Sequence, residues 1–231
     1  MSKKTLIYIE GQSDKYFLSW CLDVWEYQAH FDIFPLDGKD KLFSDEFCKN
    51  IENILNNKNL RYKQVCIIFD ADIKKENQES DAGFDNKLKY IREKLKEKFK
   101  EKKSDFPKEQ IFLFPNNQDD GDLETLLLKI AKHDEFLKCF EKYLECIKSK
   151  EHYEPIKNIR KSKWYAYLEA LGLENLTKDI FDNKGKIKKQ CKGEYERLKE
   201  VIDFNSKSLI PLKNFLGQFA ENKQKTKLKI F

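Results

Sequence analysis

Two short apolar runs, each ending in acid, constrain this chain more than any other feature. The first is Thr5-Leu-Ile-Tyr-Ile-Glu10, followed by Gly11 and Asp14; the second is Val65-Cys-Ile-Ile-Phe-Asp70, followed by Ala71 and Asp72. Continuously apolar runs of this length, rich in branched side chains, read as strands buried on both faces, and such strands belong to parallel sheets covered by helices. If the two are neighbours, their carboxylates meet at one sheet edge, where strands lie ~4.8 Å apart. Crowded carboxylates repel unless a cation stands among them. The pattern therefore predicts a site for one or two Mg²⁺ or Mn²⁺ ions, and with it phosphate chemistry.

The punctuation around these runs supports a parallel α/β core. Gly11 breaks the first run, and a helix follows from about residue 13 with Phe17, Trp20, Cys21 and Val24 at helical spacing. A second strand is expected over 31–35 and a helix over 40–56. The third strand covers 65–69, and a further helix carries Phe84, Leu88, Ile91, Leu95 and Phe99 on one face, with Lys and Glu on the other. Opposite charges at i, i+4 support an exposed helix face by roughly 0.2–0.5 kcal/mol per pair. A fourth strand, 111–114, ends at Pro115. Strand and helix alternating in this way argue for a parallel sheet with right-handed crossovers. After residue 121 the alternation stops and helical patterns continue over 123–147 (with a break near His133), 156–171, 187–202 and 209–220, with a turn at 182–185 and a Lys-rich tail. The expected organisation is an α/β core over 1–130 and a basic helical extension over 131–231 packed on it.

Charge is unevenly placed. The formal net charge is +5, yet residues 1–120 hold 21 Lys and Arg against 23 Asp and Glu, while residues 121–231 hold 24 against 17. An acidic half beside a basic half suits a polyanionic substrate, although a general Lys-rich bias would look the same. The six cysteines form no C-x-x-C pair and the three histidines are scattered, so zinc and disulfide scaffolds are not expected. No run reaches membrane-span length, and Met1-Ser-Lys-Lys leads straight into the first strand without a signal-peptide pattern. A cytoplasmic protein with no membrane partner is expected.

Further candidate residues lie where strands end. Asp122 and Glu124 follow the fourth strand; Asp122 suits a helix N-cap, while Glu124 sits in the first helical turn and emerges on the same edge as Asp70 as a metal ligand. Asp14 is placed either to orient a metal-bound water or to cap its helix. Lys39, after the second strand, is placed to neutralise charge on a phosphate. Lys161 and Lys163, beside Trp164 and Tyr165, would contact a nucleic-acid backbone with aromatic stacking, unless the two rings pack the helix and the lysines face water.

The order Glu10-Gly11-x-x-Asp14, Gly38-Lys39-Asp40, Asp70-Ala-Asp72 and Gly121-Asp-Leu-Glu124, each after a successive strand, resembles the TOPRIM domain of topoisomerases, bacterial primases and several nucleases. The likeness runs over about residues 4–130 and is greatest to the overcoming-lysogenization-defect nucleases and small stand-alone TOPRIM-like proteins. It implies a four-stranded, mostly parallel, Rossmann-like sheet. It also implies that Glu10, Asp70, Asp72 and Glu124 hold divalent metal for phosphodiester cleavage of DNA or RNA. Related nucleases carry the TOPRIM unit fused to an ATPase, so a separately encoded ATPase partner is implied here. Self-association into a homo-oligomer is left open. One departure is that Ile73-Lys74 follows the Asp-x-Asp where primases continue with acid.

Other phosphate-handling patterns fail. Ile33 stands where a Walker A motif needs its first glycine before Gly38-Lys39, and the first strand turn has only Gly11 where a dinucleotide fingerprint needs three glycines. A phosphoacceptor receiver would want adjacent acids after the first strand. The alternative that survives is a non-catalytic TOPRIM-like module that binds metal or nucleic acid and partners an ATPase.

Overall fold

A computed structural model describes residues 3–36, 38–56, 61–74, 81–98, 106–177, 180–182 and 187–220. Phe99, most of the 182–185 turn and the Lys-rich tail lie outside these residues. Four strands, β1 (Lys4–Ile9), β2 (Phe31–Pro35), β3 (Tyr62–Asp70) and β4 (Ile111–Phe114), form one sheet in the order β2-β1-β3-β4, and every pairing is parallel. The fold is the expected α/β, Rossmann-like arrangement.

Strand alternation divides the apolar side chains between two layers. Leu6, Tyr8, Val65, Ile67, Phe69, Ile111 and Leu113 face the helices α2 (Asp45–Asn56) and α3 (Phe84–Lys98), meeting Phe47, Ile51, Leu88, Ile91 and Leu95. Ile7, Ile9, Cys66, Ile68, Phe112 and Phe114 face the other way, toward α1 (Gln12–Val24) and the helices beyond β4. Period-two alternation is what lets one continuously apolar strand serve both layers. The edge strand β2 is only half covered, and Asp32 on it pairs with Lys4 at 2.7 Å and Arg61 at 2.8 Å, charges that blunt an open edge.

Several expected helices are subdivided. The helix expected from 40 starts as a 3-10 turn, Lys39–Phe43, and only becomes α-helical at Asp45, after Ser44 turns extended and its hydroxyl accepts the Phe47 N–H. The long pattern from 123 is α4 (Leu123–Ile130) and α5 (Asp134–Lys148), broken at Ala131, whose backbone is extended and bridges Ile202. The remaining helices are α6 (Ile159–Ala170), α7 (Lys192–Val201) and α8 (Ile210–Ala220). Cys139 is exposed on α5, unlike the buried Cys21 and Cys66, and all six cysteines are free thiols.

The C-terminal helices share the core of the sheet. Leu127, Trp164, Leu198, Leu212 and Phe215 belong to the same apolar cluster as Ile7, Phe17 and Phe112, and the Phe112 and Phe215 ring centroids are 5.3 Å apart. Polar ties reinforce the packing: the Tyr195 hydroxyl donates to Asp23 at 2.6 Å, and the Tyr167 hydroxyl to the Val201 carbonyl at 2.7 Å. Among the described residues no helix is long and apolar enough to cross a membrane. Leu212, fully buried, is the test of this shared core: Leu212→Ala should cost ~2–5 kcal/mol in chemical denaturation and shift one single transition. Two separated transitions, with the sheet unaffected, would show that the helices fold apart from it.

Candidate metal centre at the strand ends

β1 and β3 are the central neighbours, and the chain leaves them in opposite directions, to β2 on one side and β4 on the other. That is the crevice where open parallel sheets bind ligands. Glu10 follows β1 and Asp70 ends β3, so both stand at its floor. Asp14, in the first turn of α1, accepts the Gly11 N–H at 2.8 Å. Gly11 takes an ordinary extended conformation as the N-cap of α1, and its N–H is the donor that holds that carboxylate. Asp70 Oδ1 accepts the Leu123 N–H at 2.8 Å, which ties the end of β3 to the start of α4. Glu124 follows one residue on.

These carboxylates converge on one cleft of about 720 Å³, lined also by Asp72, Asp122 and, from α6 and its approach, Asn158, Arg160 and Lys161. Burial pushes the Asp14 carboxyl up to about 7; the Gly11 N–H opposes the rise, Glu10 and Glu124 reinforce it, and Lys161 relieves it. Asp70 is raised well above the usual carboxylate range, first by burial and then by Asp14, Glu124 and Glu10, against the Leu123 N–H. Glu124 is raised by burial and by Asp122, and lowered by its own backbone N–H, Lys161 and Arg160. Asp14, Asp70 and Glu124, from α1, β3 and α4, are thus each shifted toward the protonated form, a condition that a divalent cation relieves.

Asp122 behaves differently. It caps α4, accepting the Thr125 N–H at 2.8 Å and the Thr125 hydroxyl at 2.6 Å, and it grips Arg160 through both oxygens, with Nε at 2.9 and 3.0 Å. Burial would raise it, but Arg160 and Thr125 together hold it below the usual range. Asp122 is therefore both the helix cap expected from sequence and the anchor that fixes Arg160 at the cleft wall.

Asp72 lines the cleft, but its Oδ2 is engaged by Lys87 Nζ at 2.7 Å, and its backbone is left-handed at φ 62°. Lys39 opens the 3-10 turn after β2, and its side chain lies outside the described residues. Lys161 faces the acids, with Nζ 5.9 Å from the Tyr165 ring centre. Lys163 does not reach the cleft and pairs with Glu141 on α5. Trp164 is buried and stacks on Tyr167, so it packs the helix and is not open to a base.

Sequence reasoning missed Arg160 and Lys87. Arg160 belongs to the basic run 160–163, and a helical projection alone does not say which of its members faces the acids. Lys87 left a signal: it shares the buried stripe of α3 with Ile91, four residues on.

Hard oxygen donors gathered in one cleft suit Mg²⁺ or Mn²⁺ in kind. Among the described residues no three His, Cys, Asp or Glu side chains are gathered closely enough to clasp one ion as they stand.

No curated protein matches the chain. The C-terminal region of the Burkholderia pseudomallei OLD protein is similar in structure, with a TM-score of 0.45 and 8% sequence identity, over 96% of this chain and 100% of that one. A family model described as a protein of unknown function, DUF3226, matches residues 4–221, and the chain belongs to that family.

Proposed function

We propose that the protein is a divalent-metal-dependent phosphodiesterase with a TOPRIM-like site that acts on nucleic acid. The observation that carries this reading is the convergence of Glu10, Asp14, Asp70 and Glu124 on one cleft in which burial and mutual repulsion make negative charge costly. Glu10, Asp70 and Glu124 would hold the metal, with Asp72 at the rim. A bound cation would supply an activated water and neutralise charge gathering on the phosphate. Asp14 spends Oδ2 on the Gly11 N–H, which leaves Oδ1 to accept a proton from the attacking water. Lys161 sets an ammonium against the acids, where a phosphate chain would lie, while Asp122 balances the charge of Arg160 and holds its guanidinium at the cleft wall.

The alternative reading is a non-catalytic module that binds metal or nucleic acid and partners an ATPase. Cleavage separates the readings. Purified protein with Mg²⁺ or Mn²⁺ should cut single- or double-stranded DNA or RNA, and Asp70→Ala should slow it by at least ~10²-fold. Absence of metal-dependent cleavage of every such substrate, with and without a candidate ATPase partner, would leave the binding module.

The raised carboxyl groups predict a distinctive pH dependence. Asp14 releases its proton near 3.8 when unfolded and about 7 when folded, so between those values the folded chain binds more protons and stability falls as pH rises. Asp70 shifts in the same direction. The metal-free melting temperature should therefore drop from pH 5 to pH 8, and Mn²⁺ should restore it at pH 8 far more than at pH 5. Asp70→Asn, which keeps an acceptor for Leu123, should raise the metal-free melting temperature at pH 8 by at least ~3 °C and remove most of the Mn²⁺ gain. A metal-free protein equally stable at both pH values would contradict the crowding.

A further inference from the structure

Lys87 is a charged side chain in an apolar slot. It occupies the buried stripe of α3 that continues through Leu88, Ile91 and Leu95, and only 3% of its side chain is exposed. Its Nζ lies 2.7 Å from Asp72 Oδ2 and 2.7 Å from Asp81 Oδ2. Lys87 thus joins the second acid of the Asp-Ala-Asp turn to the loop that leads into its own helix. Withdrawing an ammonium and its partners from water is expensive, and a well-packed apolar side chain commonly stabilises such a slot as well or better. Packing alone does not call for lysine here.

The backbone around Asp72 is already secured without it. The Ala71 N–H donates to the Phe114 carbonyl at 3.1 Å, the Gly83 N–H to the Ala71 carbonyl at 2.8 Å, and the Gly121 N–H to the Asp72 carbonyl at 3.0 Å. The left-handed φ of 62° at Asp72 is strained for a residue with a Cβ, and these three bonds hold it. What they do not fix is the carboxylate, which is 47% exposed and at the cleft wall. Lys87 fixes it through Oδ2, leaving Oδ1 as the oxygen the cleft can use.

We propose that Lys87 is a positioning residue for Asp72: it holds the carboxylate by one oxygen and presents the other to the metal, so that Asp72 binds as a one-oxygen ligand. Asp81 Oδ2 takes the same ammonium at 2.7 Å, so Lys87 is held between two carboxylates. This inference rests on the metal-centre reading of the cleft.

The test is calorimetric titration of the full chain with Mn²⁺ alone, which needs no cleavage, with each variant's melting curve recorded to show that it is folded at the titration temperature. Asp72→Asn and Lys87→Met should each weaken Mn²⁺ binding by about 10- to 100-fold, and the double variant should bind no more weakly than Asp72→Asn alone. Lys87→Gln, which keeps a hydrogen-bond donor, serves in the same cycle if Lys87→Met does not fold, and it should lose less affinity. A merely structural lysine would lower the melting temperature without this loss of additivity. Lys87 variants that leave Mn²⁺ affinity unchanged, or that weaken it by the same factor with and without Asp72→Asn, overturn the proposal. So does an Asp72→Asn variant that binds like wild type. Asp70→Asn in the same titration distinguishes that failure from a failure of the metal centre: it abolishes binding if the centre stands, whatever Lys87 does.

Discussion

The parallel pairing of β1 with β3 is the contact on which the rest of the cleft depends. Thr5 to Ile9 lie beside Gln64 to Ile68, so the two chains run out of sheet together and deliver Glu10 and Asp70 to the same edge. Because β1 then crosses to β2 on one side and β3 to β4 on the other, the two crossovers part at that edge and leave a crevice between them. Apolar packing on both faces makes the arrangement rigid. Residues such as Ile7, Ile67 and Ile68 are fully buried, and their burial, at about 1.5–3 kcal/mol for each side chain, keeps the carboxylates crowded against their own repulsion. Sheet stability is in this sense what makes an unfavourable charge cluster persist.

The cleft becomes a complete site only with the helices beyond β4. α4 brings Glu124 and, through the Leu123 N–H, a donor for Asp70; α6 brings Arg160 and Lys161 opposite the acids. Glu10, Asp14 and Asp70 come from the alternating core, Glu124 from α4 and the ammonium of Lys161 from α6, so the charge gradient across the cleft is built by both parts of the chain. Asp122 links the two sides: it caps α4 and clamps Arg160 in the same stroke, so the orientation of the cation wall depends on a helix cap. The shared apolar cluster that joins Trp164 and Leu212 to the sheet holds this gradient in register.

Much of this was legible in the amino-acid order because the signals were local. Continuous apolar runs name the buried strands, Gly11 and Pro115 punctuate them, and the acids at their ends fall where the chain must turn. β2 and β4 have the expected limits, whereas β3 begins earlier, at Tyr62, because its first residues pair with Lys4 and Thr5 across a register shift that no periodicity encodes. The failures share a cause, since each depends on contacts between separate elements. Asp72 reads as a cleft acid, but its partner Lys87 lies fifteen residues away on a helix whose lysines otherwise read as a solvated face. Arg160 and Lys163 look interchangeable in sequence, yet one meets Asp122 and the other Glu141, because α6 turns them onto different neighbours. For Trp164 and Tyr165 the sequence leaves both base stacking and helix packing open, and the stacking of the buried Trp164 on Tyr167 selects packing for that ring.

The most direct test of the central claim is the position of a metal. Crystals of the protein grown with Mn²⁺, measured at a wavelength where manganese scatters anomalously, should show a peak ~2.0–2.4 Å from Asp70 and from Glu10 or Glu124. Asp70 should then turn a carboxylate oxygen toward the ion, and Lys161 should stay across the cleft. A peak elsewhere on the protein, or no peak while Asp70 keeps only the Leu123 N–H, would contradict the account.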